Sequence, residues 1–207
     1  WSDDWQPSSN PASQMRDIML GMSNPDPLPG EIIAEDELKN WFPRCVTEGY
    51  SCNAYLQGEA IADVLQMIAS CGYASPRMAE VWGVVEDYDT SAEPVTMTLS
   101  PLNSEDLGTT FQFPKTPHVV QVEFTDAADD YKTGYALVYA DGYDANNLPE
   151  PTRTETWQMR GFTTEAAAVA RATFDLRQAR LRAKRYNFRL GLDGFLLGKG
   201  SLVGVAS

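Results

Sequence analysis

The stretch 163–205 constrains this chain more than any other part of it. It reads as one long helix running directly into a pair of strands. Thr163 and Thr164 offer an N-cap, and Glu165 puts a negative charge in the first turn, where the helix dipole favours it. No Gly or Pro falls between 165 and 183. Ala166, Val169, Ala170, Thr173, Phe174, Leu176 and Leu181 recur at three- and four-residue steps, which predicts one apolar stripe. Arg177, Arg180, Arg182 and Lys184 crowd the last turns, again on the side the dipole favours. The period then drops to two. Tyr186, Phe188, Leu190 and Leu192 alternate with polar residues and glycine, which predicts a half-buried strand. Gly191, Gly194, Gly198 and Gly200 mark a turn, and Leu202, Val203 and Val205 read as the returning strand. A helix with one apolar stripe needs a sheet to cover, and the alternating segments around it can supply one.

Charge is placed unevenly. The chain of 207 residues has a net charge of −13. Residues 1–150 carry −19 and residues 151–207 carry +6. The acidic bulk argues against nucleic-acid binding by the surface as a whole. The basic end is mostly one helix and the strand after it, so its arginines are expected to meet acidic surface on this chain or on a neighbour. No apolar run is long enough to span a membrane. The chain opens on Trp1-Ser2-Asp3-Asp4 without a starting Met, which leads us to expect a segment of a longer protein. The three cysteines, Cys45, Cys52 and Cys71, are an odd number without metal spacing, and reduced thiols are the default.

Earlier in the chain, Asn10 and Pro11 signal a helix start with Ala12, Met15, Ile18 and Met19 inward. Residues 24–30 read as loop. Residues 33–46 read as helix, with Leu38, Trp41, Phe42 and Cys45 on one side and Pro43 as a kink or early end. Residues 50–56 suggest a short strand. Residues 59–71 form the clearest helix of this half, buried through Ile61, Val64, Leu65 and Ile68, with Gly72 suited to a left-handed cap. Strands are predicted at 79–87, 95–99, 109–113, 119–124, 134–140 and 154–160. In 134–140 Tyr135, Leu137 and Tyr139 fall on one face. The fold class is α+β: a helical N-terminal part, then a β-rich barrel or sandwich-like domain carrying one long α-helix. A boundary near Thr116 divides the chain into 1–116, with three helices and short strands, and 117–207, which holds helix 163–183.

Signals for chemistry are sparse. His118, the single histidine, has no nucleophile or orienting acid near it, and a locally hydrogen-bonded strand-edge residue is the simpler account. Acids cluster at Asp126, Asp129 and Asp130, and at Glu86, Asp87 and Asp89, yet neither group singles out the cross-cleft pair of a glycosidase. Asp141, Asp144, Asn146 and Asn147 lack the alternating spacing of a calcium loop and suit a polar turn. Tyr131, Tyr135, Tyr139 and Tyr143 stand four apart and could form a stacking platform, though half-burial of the middle two is preferred. The segment 198–201 lacks the length and following helix of a phosphate loop. No catalytic, cofactor or metal residue is assigned.

The order of short motifs says more. Residues 5–17, Trp-Gln-Pro-Ser-Ser-Asn-Pro-Ala-Ser-Gln-Met-Arg-Asp, resemble an S-N-P-A-x-x-x-x-D opening found in siphophage tail-tip proteins, the lambda-type host-specificity or central hub family. Ile33, Ala34 and Glu35 leading to Cys45, then Tyr50 to Leu56, resemble its next stretch. Asp63, Val64, Leu65, Ile68 and Ala69 match its v-L-x-x-i-a helix, and 119–131 is similar to its strand and acidic turn. Gly161 to Glu165, Ala170, Arg171 and Phe188 to Gly194 follow in the same order. Where the family closes with G-D-x-V, this chain has Gly200-Ser201-Leu202-Val203. The resemblance implies a non-catalytic hub segment without cofactor, trimeric in the intact tail. It also implies contact with other tail-tip and tail-tube proteins, assembly in the host bacterial cytoplasm, no direct nucleic-acid binding and no membrane insertion. The alternative is a tail-associated carbohydrate-binding or glycoside-hydrolysing module. For the thiols, alkylation without reductant should label all three, and recovery of a Cys45–Cys52 peptide by mass spectrometry would overturn that.

Overall fold

A computed structural model describes residues 8–21, 24–100, 103–111 and 115–205. The start of the 5–17 motif and residues 112–113 of an expected strand lie outside the described residues. Helix α1 spans Pro11–Leu20, and the Asn10 side chain accepts the Ala12 N–H at 2.9 Å, the cap that the sequence predicts. Helix α2, Glu35–Glu48, has three acids in its first turn and buries Leu38, Trp41 and Cys45. It continues through Pro43, whose ring is exposed, and ends at left-handed Gly49. Helix α3, Ile61–Cys71, buries Val64, Leu65, Ile68, Ala69 and Cys71.

Trp41 is the largest wholly buried side chain of this half. Its Nε1–H donates to the Gly72 carbonyl at 3.0 Å. Gly72 is not the left-handed cap expected of it: its φ is −103°, and the positive φ falls on Tyr73. The glycine serves close approach instead, because a Cβ there would stand 2.2 Å from the Trp41 ring. Strands β1, Ala74–Arg77, and β2, Gly83–Glu86, pair antiparallel, where the sequence suggests one strand over 79–87. Pro76 hides β1 from a propensity reading, but in a two-stranded ladder every strand is an edge and proline is tolerated. The expected strand at 50–56 is absent. There the backbone bonds to two different segments, Cys52 N–H to Ser9 O and Asn53 N–H to Gly161 O, so no ladder forms.

Strands β3, Met97–Leu99, and β4, Glu105–Phe111, precede the central sheet. In that sheet β5, Val119–Asp126, lies between β6, Lys132–Tyr139, antiparallel, and β7, Thr154–Gln158, parallel. Val120, Val122 and Phe124 face inward as predicted. Register then decides the face of β6. Val120 pairs with Val138, Val122 with Ala136 and Phe124 with Gly134, so Ala136 and Val138 are buried. Of the two tyrosines expected to be half-buried, Tyr139 is and Tyr135 is not. Tyr135 and Leu137 are 60% and 55% exposed.

Helix α4, Glu165–Leu181, covers the inner face of this sheet, with Thr164 Oγ1 accepting the Ala167 N–H. Its buried line is Ala168, Ala172 and Leu176. Of the predicted stripe only Leu176 is fully buried, while Ala166, Ala170 and Leu181 are exposed. The first turns are alanine-rich on every side, so spacing alone could not choose between adjacent stripes, and small residues give the closest approach to the sheet. The chain then forms β8, Lys184–Arg189, and β9, Val203–Val205. These do not pair with each other as the sequence suggests: β8 runs antiparallel to β4, and β9 runs parallel to β3. No residue of β4 or β8 is buried, so the predicted half-buried strand is a solvated ribbon.

The molecule is α+β. Among the described residues the strands make one three-stranded and three two-stranded sheets, and none closes into a barrel. The core runs as one cluster from Ala12 in α1 through Val120 in β5 to Leu176 in α4.

Packing ranks two substitutions in α4. Leu176→Ala should cost about 2–5 kcal/mol, as for a fully buried leucine. Phe174 is only half-buried, on the Tyr73 ring, so Phe174→Ala should cost less than the ~3–5 kcal/mol of a fully buried phenylalanine. Urea unfolding of both variants checks the order, and a larger loss at Phe174 would place the buried line elsewhere.

Candidate functional site

The residues that the sequence singles out are engaged locally. His118 Nδ1 accepts the Arg153 N–H at 3.1 Å, and its ring lies 5.0 Å from that of Tyr143. Asp126 accepts the Ala128 N–H, and Asp129 pairs with Lys132. Asp141 is held by Arg177, Asp144 accepts the Asn146 N–H, and Asn147 Oδ1 accepts the Asp144 N–H. The oxygens suggested for calcium therefore close their own turn. Among the described residues no group of three or more His, Cys, Asp or Glu is placed to hold a metal. In the turn 198–201, Gly198 N–H donates to Ser201 Oγ, and Lys199 reaches back to the Pro76 carbonyl at 2.8 Å.

The acidic cluster of Glu86, Asp87 and Asp89 lines a cleft of about 240 Å³ between α2 and the β1–β2 pair, with Arg44, Tyr50, Tyr73 and Tyr88 on its walls. Arg44 Nε lies 2.8 Å from Glu86 Oε2, and its guanidinium covers the Tyr88 ring at 3.6 Å. Burial raises the Glu86 carboxyl above its ordinary range, and Arg44 pulls it back. Asp87 takes bonds from Gln178 and Arg182 of α4 and the residue after it. The backbone N–H of Ser91 holds Asp89 below its ordinary range. Arg171 pairs with Asp175 at 2.9 Å, donates to the Ser70 carbonyl and lies over Tyr73, whose hydroxyl burial pushes up to about 12. Arg171, Arg177 and Arg182 thus meet acids of this chain, one of the two outcomes expected from sequence, while Arg180 donates to the Asp141 backbone carbonyl. The cleft is a set of ion pairs and ring contacts closed on itself.

The thiols sit deep. Burial pushes Cys45 up to about 12. Cys71 is raised by its hydrogen bond with Cys52 and by burial. Cys52 thus has Cys71 as its neighbour, not Cys45.

Two uncovered faces stand out. One is the outer face of the central sheet, with Tyr135 and Leu137 on β6 and Glu123 on β5. The other is the β4–β8 ribbon with Tyr186 and Phe188, followed by a 3₁₀ turn, Leu192–Leu196. Leu192, Phe195 and Leu196 there are 84%, 88% and 68% exposed. Sequence reasoning misses this second face because alternation reads as half-burial. The available signal was three large apolar residues crowded between glycines, with no partner segment to cover them.

Residues 84–206 match the family model described as "Putative phage tail protein", and the chain belongs to that phage tail family, as a structural component of the virion tail. No curated protein matches it. Among solved structures it is similar to the tail protein from Neisseria meningitidis MC58, at 16% identity and a TM-score of 0.53, over 81% of this chain and 56% of that one. It is also similar to the 43 kDa tail protein of prophage MuSo2 from Shewanella oneidensis, at 19% identity and a TM-score of 0.44, over 73% of this chain and 46% of that one. The chain spans about half the length of these two proteins.

The cleft makes a pH-dependent prediction. Arg44→Met leaves a largely buried Glu86 without its counter-charge, so its carboxyl rises further. A carboxyl raised in the folded state opposes folding once ionised and ceases to do so when protonated. The variant should therefore lose more stability, relative to wild type, at about pH 7 than at about pH 4. Paired denaturation curves measure this, and an equal loss at both would mean that Glu86 is not desolvated.

Proposed function

We propose that this chain is a segment of the central hub at the tail tip, without catalytic activity, closing the tail tube and supporting host attachment and DNA passage. The observation that carries this reading is the collinear run of hub-like motifs, from Ser9-Asn10-Pro11-Ala12 through Gly161 to Gly194, in a chain of the tail family. Two uncovered faces on one subunit support it, since a subunit of a ring needs two unlike contact surfaces. In the intact tail the segment forms a trimer and meets other tail-tip and tail-tube proteins, and the small sheets become parts of larger layers across subunits. The particle is assembled in the bacterial cytoplasm.

Charge gives the hub a further requirement. A wall that bound phosphates would hold DNA back, and the −19 on residues 1–150 would repel it over roughly a Debye length, about 8 Å at physiological salt. The acids should therefore line the bore, with the arginines of 171–189 turned away from it. A reconstruction of the assembled tail tip tests both points. Density for this chain outside the tip would overturn the hub reading, and arginines in the bore would overturn the charge argument alone.

A tail-associated carbohydrate-binding module is the second reading, favoured by the exposure of Tyr131 and Tyr135. Aromatic platforms of this kind stack on rings. Glycan-array binding lost on Tyr135→Ala would support it, and a blank array would remove it.

A further inference from the structure

Resting on the hub reading, we propose that the β4–β8 ribbon and the apolar turn after it dock onto the outer face of the β5–β6–β7 sheet in a second copy of this chain. The ribbon cannot account for its own stability. It has two strands and no buried residue, and a two-stranded ribbon is marginal in water unless it packs on something. Leu192, Phe195 and Leu196 extend its apolar surface into solvent, the kind of patch that marks a contact site.

The sheet offers a complementary surface. Tyr135 and Leu137 make an apolar patch on β6, an edge strand among the described residues. Glu123 sits beside Tyr135 in register, and Asp126, Asp129 and Asp130 follow at the β5–β6 turn against one cation, Lys132. The ribbon has the opposite character. Residues 105–111 and 182–189 together hold four cations, Arg182, Lys184, Arg185 and Arg189, against two acids, Glu105 and Asp106. An aromatic, basic arm therefore faces an aromatic, acidic sheet. Within one copy both surfaces are exposed, so the arm does not reach its own sheet. A second copy carries the missing half of each contact. The two faces are unlike, so the contact is head-to-tail, the kind that closes a ring. Nucleic acid suits the arm less well, because the acidic chain as a whole repels phosphate.

The test uses the 207-residue chain with a photo-reactive benzoylphenylalanine in place of Phe195, mixed as nitrogen-15 and nitrogen-14 copies. Irradiation should give heavy–light cross-links from position 195 to peptides covering 132–139. Sedimentation should show self-association that weakens about 30-fold or more in Leu192→Asp/Phe195→Asp, in line with loss of an aromatic hot spot. Because those side chains are exposed, the melting temperature at low concentration should not change. Arg185→Glu should weaken association as well, and mixing it with Glu123→Arg should restore pairing between the two variants. A chain that stays monomeric at the highest concentration reached overturns the proposal. So do cross-links that map elsewhere or within one copy, an unaffected Asp double variant, or capture of DNA or a glycan by these same residues. Position in the tail tip is read independently by reconstruction. A hub whose copies meet through other surfaces overturns the docking alone, and a chain absent from the tip overturns the reading beneath it.

Discussion

The structure turns on one backbone crossing at Gly161. This residue lies between β7 and α4 with φ +87°, a conformation that side chains disfavour. A Cβ there would stand 2.6 Å from the Cys71 sulfur and 3.0 Å from that of Cys52. Its carbonyl accepts the Asn53 N–H at 2.8 Å, and the preceding Arg160 carbonyl accepts from Cys71. One glycine thus lets the end of the sheet lie against α3 and the 50–53 segment. The ion pair Arg160–Glu59 and buried Phe162 flank the crossing. With it in place, α4 lies between the sheet and the helices: Ala168, Ala172 and Leu176 are buried, while Arg171 and Phe174 engage Ser70 and Tyr73.

The same helix distributes charge. Its acidic partners come from distant parts of the chain, Asp87 near the cleft and Asp141 in the polar loop. Exposed pairs of this kind contribute little each, ~0–1 kcal/mol. Their effect is to fix where the helix end lies and to neutralise a basic segment within an acidic subunit. The arm beyond it keeps Lys184 and Arg185 clear of any ion pair shown by the structure, so positive charge is concentrated where the chain is least packed.

Several features were legible because they are local. The Asn10–Pro11 cap, the inward face of α1, that of α3 apart from Ile61, which was expected to be buried and is 41% exposed in the first turn, the position of α4 and the alternation in β5 all follow from spacing and capping chemistry. Partners and faces were not legible. Tyr135 and Leu137 form as good an apolar alternation as Ala136 and Val138, and only the register with Val120 and Val122 chooses between them. The line Ala168–Ala172–Leu176 is less hydrophobic than its neighbours, yet it is the one that fits closely. Gly72 does cap α3, as its position suggested, but without the left-handed turn, and it also gives clearance to Trp41. The exposed ribbon was invisible for a related reason: a strand left in solvent can carry the same alternation as one half-buried in a core. The phage tail assignment came from the order of motifs, a property no single element holds.

The pairing of β4 with β8 and of β3 with β9 has a consequence in time. Glu105 finds its partner only at Arg189, and Met97 only at Val203. Contacts so distant in sequence require large loops to close before any ladder forms, which slows folding. During synthesis the central sheet and α4 are complete before either late strand has emerged. Strands β3 and β4 must meanwhile wait with open edges, which are templates for pairing with other chains. The arm thus takes shape only after the central sheet and α4, so most of the core is in place before this exposed ribbon can pair.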